Sequence, residues 1–181
     1  MVKVLQIGPD IAEKRCVPDE VIRQMSDLLG SNMTRLTGCT DIDWQSDANF
    51  EKWKHKVFLG EVQKDTGHIL VLDDRGLKGF ISYTVPAESS EIYLNEIQIH
   101  ASAQGDGVTL RALILRFLDD AERLPHDSVR TYTNRLNDRA HRLIEKAGFR
   151  KDGQTERGFR YMASKNDLLA RFRRKRRQNK H

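Results

Sequence analysis

The stretch Gln104-Gly105-Asp106-Gly107-Val108-Thr109 constrains the fold more than any other part of this chain. Before it, Glu91 to His100 alternates apolar and polar residues as a strand does. After it, Val108 to Leu124 repeats apolar residues at helical spacing (Val108, Leu110, Leu113, Ile114, Phe117, Leu118, Ala121). A strand that turns through glycines into a helix aims backbone N–H groups outward at the positive end of the helix dipole. That arrangement is an anion site, and its usual occupant is a phosphate. Alone, Gly105-Asp106-Gly107 also reads as an ordinary surface turn, so the flanking segments carry the argument.

Those segments form a regular series. Val2 to Ile7 reads as a strand. Pro18-Asp19 opens a helix whose apolar positions are Val21, Ile22, Met25, Leu28 and Leu29, with Gly30 as its stop. Residues 31–46 are polar and read as a loop, and Ser46 caps a second helix reaching about Val57. His68 to Leu72 and Leu77 to Val85 form a hairpin around Asp73-Asp74-Arg75-Gly76. Pro125 ends the helix after the glycine turn, and Val129 to Thr133 is the next strand. Asn137 then caps a helix that turns Ala140, Leu143, Ile144 and Ala147 inward and ends at Gly148. Phe149 to Lys151 and Phe159 to Ala163 make a final antiparallel pair, and a short helix from Lys165 fades into a basic tail. The expected architecture is α/β (mixed α+β): one domain over residues 1–170, with a mixed, mostly antiparallel sheet and helices on both faces, and no repeat or linker.

Charge separates the tail from the body. Residues 171–181 hold 7 of the 31 Lys and Arg and no acid, so the net +5 belongs to the tail, and residues 1–170 carry 24 positives against 26 negatives. Cys16 and Cys39 make neither a disulfide framework nor a zinc spacing, and no His pairs with Cys, Asp or Glu at ligand spacing, so no metal is expected. The chain has no apolar run of membrane-spanning length and no secretory apolar segment at its start, and a cytoplasmic protein is expected.

The element order, with a glycine turn after the fourth strand, resembles the GNAT superfamily of acetyl-CoA-dependent N-acetyltransferases, most strongly from Leu77 to Met162. Three motifs carry the resemblance. The pyrophosphate loop, Gln/Arg-x-x-Gly-x-Gly/Ala, is matched by Gln104, Gly107 and Thr109, with Thr109 in place of the last small residue. There the backbone would approach the pyrophosphate less closely, or the hydroxyl would donate to it. The preceding strand, Tyr93 to His100, has the family's alternation, and the family pairs pantetheine with main-chain groups at the positions of Ile97 and Ile99. The third motif, Asn-x-x-Ala-x-x-Leu-Tyr-x-x-x-Gly-Phe, is matched by Asn137, Ala140, Leu143, Gly148 and Phe149, with Ile144 where the family often has tyrosine. The resemblance thus implies the GNAT fold and acetyl-CoA as co-substrate, held by Ile97, Gln98, Ile99, Gln104, Gly105, Asp106, Gly107, Val108, Thr109 and Asn137.

The reaction implied is direct attack of an amine on the thioester, aided by a base, an acid and a backbone N–H for the oxyanion. Glu96 is the candidate base, with Glu91 and Tyr93 as the others; each also reads as a plain strand residue. Strand parity sets Glu96 on the opposite face from Tyr93 and Asn95. Ile144 cannot protonate a thiolate, which leaves Tyr132 and Tyr161 as candidate acids. His100 and His141 read as surface residues, His141 on the outward face of its helix. In the family, residues 28–48 wall the acceptor site, and Asp41, Asp43 and Asp47 there suit a small-molecule or protein amine with positive charge. Two other functions fit the same residues: a non-catalytic CoA-binding module, and recruitment to nucleic acid or an acidic partner by tail 171–181. Many relatives dimerise, so a homodimer is allowed.

Overall fold

The computed structural model of the chain describes residues 2–60, 65–105 and 107–178. Its elements run β1 (Lys3–Ile7), α1 (Ile11–Arg15), α2 (Asp19–Thr37), α3 (Asp47–Trp53), β2 (Thr66–Asp73), β3 (Gly76–Thr84), β4 (Glu91–Ile99), α4 (Val108–Glu122), β5 (Ser128–Asn134), α5 (Asp138–Ala147), β6 (Arg150–Gln154), β7 (Gly158–Ser164) and α6 (Lys165–Gln178). A π-type turn, Lys54–Phe58, extends α3, and a short turn of helix, Ala101–Ala103, precedes α4.

Seven strands form one sheet in the order β1-β2-β3-β4-β5-β7-β6. Every described pair is antiparallel except β4 with β5. Successive strand residues point to opposite faces, so the strands build two cores. On one face Ile69, Val71, Ile81, Tyr83, Ile92, Leu94 and Val129 pack with Leu113, Phe117 and Leu118 of α4 and Leu168 of α6. On the other, Ile7, Leu70, Leu77 and Phe80 pack with Ile22, Met25 and Leu29 of α2 and with Phe50, Trp53 and Phe58. The expected mixed sheet with helices on both faces is the observed one. No described helix is long and apolar enough to cross a membrane.

The structure departs from expectation in four places. The α2 helix does not stop at Gly30; it runs to Thr37 and ends where Gly38 adopts φ 68°. Gly30 is instead a notch for Trp44, whose indole would clash with a β-carbon there. In the sequence, a glycine that makes room for an indole looks the same as one that ends a helix. Helix α1, not anticipated, is held by the Asp10 side chain accepting from Ala12 N–H at 2.6 Å. Helix α5 has the expected apolar stripe but no fully buried residue, and Leu143 is exposed rather than inward. Finally, α6 continues unbroken across the expected 170/171 boundary, with Leu169 and Phe172 against the core. Residues 179–181 of the basic run lie outside the described residues.

Candidate active site

The β4 strand pairs with β3 as far as Ile99, but with β5 only over Glu91–Leu94 opposite Ser128–Thr131. Beyond that point the two parallel strands separate. The Thr131 hydroxyl closes the apex by donating to Leu94 O at 2.9 Å. His100 N–H donates to Lys78 O at 2.8 Å, which fixes the alternation of the β3–β4 ladder. Neighbours in an antiparallel ladder take turns facing the partner, so the main-chain groups of Ile97 and Ile99 turn away from β3, into the split. Their side chains pack against the α4 core.

A bulge decides which side chains share the split. Ser82 lies opposite Glu96 while Tyr83 lies opposite Leu94, so Asn95 is the extra residue. Counting alternation straight through the strand therefore fails. Ser82 and Thr84 share a face, and so do their partners Glu96 and Tyr93. Arg130 and Tyr132 on β5 face the same way, opposite the buried Val129, Thr131 and Thr133. Glu96, Tyr93 and Tyr132 thus meet on one face of the sheet, on either side of the split. A single inserted residue corrects the expected parity.

Glu96 is half-buried, and its Oε2 accepts a 2.7 Å hydrogen bond from Gln98 Nε2. Burial pushes its carboxyl above the ordinary value, and the Gln98 donor pulls the other way. Glu91 is a poor base by comparison. Its Oε1 sits 2.6 Å from Arg130, and the guanidinium's hydrogen bond holds its carboxyl below the ordinary range. The Gln98 side chain is turned to the α2 side, where its Oε1 accepts from Asn32 Nδ2 at 2.8 Å, and its main chain faces Phe80 of β3, so Gln98, expected beside the cofactor, turns neither to the split. The network with Asn32 had no signature in the sequence, because it joins residues 66 apart.

At the mouth of the split, Gly105 (φ 110°) and Gly107 (φ 71°) shape the turn into α4. Positive φ favours glycine at both, and a β-carbon on either would meet nothing within 4 Å, so the turn borders open space. No described side chain caps α4, and Val108 is exposed. Asp106 lies outside the described residues. Thr109 is buried, and its methyl lies 3.1 Å from where a β-carbon on Gly79 would be. Its methyl points toward β3, into space that Gly79 leaves. Gln104 Nε2 donates to Ile99 O at 2.8 Å, and Arg139 of α5 donates to Gln104 Oε1 at 3.0 Å, linking the two sides of the mouth.

The other helix start behaves differently. The Asn137 side chain accepts from Ala140 N–H at 3.0 Å, capping α5 itself. The two candidate acids also part. Tyr132 is exposed, its hydroxyl 3.2 Å from Thr155 Oγ1. Tyr161 is buried on the opposite face, hydrogen-bonded to His141 Nδ1 at 2.9 Å and, more weakly, donating to Glu145 Oε1 at 3.4 Å. Burial, then the Glu145 charge, pushes its phenol above the ordinary value. His141, expected to face outward, is drawn inward by Tyr161 and by edge-on contact with Phe159 at 5.2 Å. His100 is exposed, its Nδ1 2.8 Å from the Ser102 hydroxyl.

On the α2 side, a cavity of about 580 Å³ is lined by Asp27, Arg35, Ile42, Asp43 and Trp44 among others. Burial raises the Asp27 carboxyl above its ordinary value. Asp47 is paired with Arg23 at 2.8 Å, and Asp41 Oδ2 accepts from Cys39 Sγ at 3.7 Å.

No protein-family model and no curated protein matches the chain. Solved structures do match. The PaiA N-acetyltransferase of Thermoplasma acidophilum, solved with coenzyme A, aligns with a TM-score of 0.62 at 16% identity over 91% of this chain and 99% of its own. The spermidine/spermine N-acetyltransferase SpeG of Vibrio cholerae aligns at 0.61 and 17% identity over 94% and 99%. An acetyltransferase of Streptococcus agalactiae aligns at 0.65 and 14% identity over 90% and 98%. The chain has the fold of the GNAT acetyltransferases.

Proposed function

We propose that the protein is an acyltransferase that moves an acetyl group from acetyl-CoA to a primary amine by direct attack. The observation that carries this reading is the glycine-led start of α4, bordered by open space, at the mouth of the β4–β5 split. The α4 amides and dipole would hold the pyrophosphate at Gln104 to Thr109. Pantetheine would add to the free edge of β4 through the main chain of Ile97 and Ile99. The half-exposed apolar stripe of α5 beside the split suits the cover that such a ligand gives.

In the reaction, Glu96 takes the ammonium proton, directly or through water. The amine nitrogen attacks the thioester carbon, and the N–H of Ile97 or Ile99 stabilises the oxyanion. Collapse breaks the C–S bond, the nitrogen sheds its remaining extra proton, and the thiolate takes up a proton from Tyr132 or from solvent, which the shed proton replaces. Tyr93 walls the acceptor side. The fold relatives include an enzyme described as acting on spermidine and spermine, and the Asp27–Asp43 cavity is where we expect a cationic amine to lie. Residues 1–170 would form the acyltransferase unit, and the basic run 171–181 would add salt-dependent contacts to nucleic acid. Because Phe172 packs on the core, truncation after Phe172 is the cut that tests the run alone. Nucleic-acid retention at low salt should disappear; retention that survives the cut removes the tail from the account.

The test of the reaction is acetyl-CoA consumption against a panel of polyamines, aminoglycosides and peptide amines, read as free thiol. Turnover with any amine supports transfer. CoA binding without turnover across the panel reduces the protein to a CoA-binding module.

A further inference from the structure

Glu96 ends a chain of hydrogen bonds that begins on α2. Arg35 donates to Asn32 Oδ1 at 2.9 Å, Asn32 Nδ2 donates to Gln98 Oε1 at 2.8 Å, and Gln98 Nε2 donates to Glu96 Oε2 at 2.7 Å. The direction of this chain is forced by its ends. A guanidinium can only donate, so Asn32 must present its oxygen to Arg35 and its NH2 to Gln98. Gln98 must then accept with its oxygen and present its own NH2 to Glu96. That last donor is matched by an ionised carboxylate, which can only accept. Asn32 Nδ2 also lies 3.3 Å from Ile99 O, so the same side chain clamps α2 to the free end of β4.

We infer that Arg35, Asn32 and Gln98 form a one-way positioning relay that holds Glu96 as a charged, oriented carboxylate and links it to the acceptor cavity. The inference rests on the reading of Glu96 as the base. Arg35 is both the head of the relay and part of the cavity lining, so an acceptor that engages Arg35 acts on the far end of the chain. Burial and Gln98 are the two influences on the Glu96 carboxyl. The ionisable groups on its face of the sheet include Glu91 and Tyr93 on β4, Arg130 and Tyr132 on β5, Arg160 on β7 and His68 on β2; Arg35 reaches it from α2 through Asn32 and Gln98.

The test is the titration of the Glu96 carboxyl, followed by carbon NMR in protein labelled at glutamate and assigned with Glu96→Gln. This readout does not require turnover, so it judges the relay even if the proposed reaction fails. Gln98→Leu removes the terminal donor and should raise the midpoint by about one pH unit, since a hydrogen bond to a charge accounts for at least that much. Asn32→Leu should raise it by less, and Arg35→Met by least, while Arg35→Lys keeps a donor at the head and restores the wild-type midpoint. If turnover is found, the acidic limb of the kcat/KM profile should move by the same amounts. A natively folded Gln98→Leu protein whose Glu96 midpoint stays at the wild-type value overturns the relay. If Gln98→Leu does not fold, Arg35→Met against Arg35→Lys decides by the same criterion.

Discussion

The two sides of the β4–β5 split are built alike, a strand turning into a helix, and they end differently. On the β4 side the turn relies on Gly105 and Gly107, and no described side chain caps α4. On the β5 side the Asn137 side chain caps α5 and Asn134 Oδ1 accepts from Leu136 N–H at 2.9 Å, so the turn satisfies itself. One helix start is led by glycines that border open space, and the other uses its own side chains to complete the fold. The same contrast holds for side chains in the split: Glu96 on β4 is half-buried with a raised carboxyl, and Tyr132 on β5 is exposed. The proposed ligand and chemistry therefore fall to the β4–α4 side, with the β5–α5 side as its brace.

The largest test of that division is kinetic. Glu96→Gln should lower kcat/KM by about 10²–10⁴-fold, the usual contribution of a positioned base. Tyr132→Phe on the other strand should cost no more than about tenfold, because a thiolate also takes a proton from water. Equal losses at the two positions would break the comparison. Next is binding. Gly107→Glu sets a charge and a side chain beside the pyrophosphate and should weaken CoA at least about a hundredfold, read by calorimetry. Its positive φ should cost stability of about 1–2 kcal/mol, leaving the fold in place. The mirror change, Asn137→Ala, should cost about 1 kcal/mol of stability in denaturant titration and weaken CoA far less than Gly107→Glu does.

The smallest effect concerns pH. Glu96 has a folded pKa above its unfolded value of 4.5, so the folded state holds its proton longer. Stability from this group is present below 4.5 and falls as pH rises through the higher folded value. Glu96→Gln should therefore be slightly more stable than wild type above that window while losing activity. A variant less stable than wild type at pH 8 would contradict the cost assigned to the buried charge.

The fold was legible because its signals are local. Periodicity marked α2, β2 to β4, α4 and β5, and the order of elements did the rest. Errors arose where one residue served a distant partner. Gly30 reads as a helix stop because Trp44, which it accommodates, lies 14 residues on. Asn95 reads as ordinary alternation because a bulge exists only with respect to β3. Thr109 reads as a flaw in the phosphate turn because its compensation, Gly79, sits on another strand. His141 reads as solvent-facing because Tyr161 is out of helical range. In the candidate site the elements that form the split could be read from the sequence, whereas the Arg35–Asn32–Gln98 relay depends on how α2 docks on β4.

The central claim is that the start of α4 holds the pyrophosphate of coenzyme A. The most direct measurement is a calorimetric titration of the intact protein with CoA beside the Gly107→Glu variant, with melting temperature followed in parallel. Saturable one-to-one binding and a raised melting temperature in the wild type, both lost in Gly107→Glu, is the predicted result. No heat and no shift at millimolar CoA in the wild type, or equal binding by the two proteins, would contradict it.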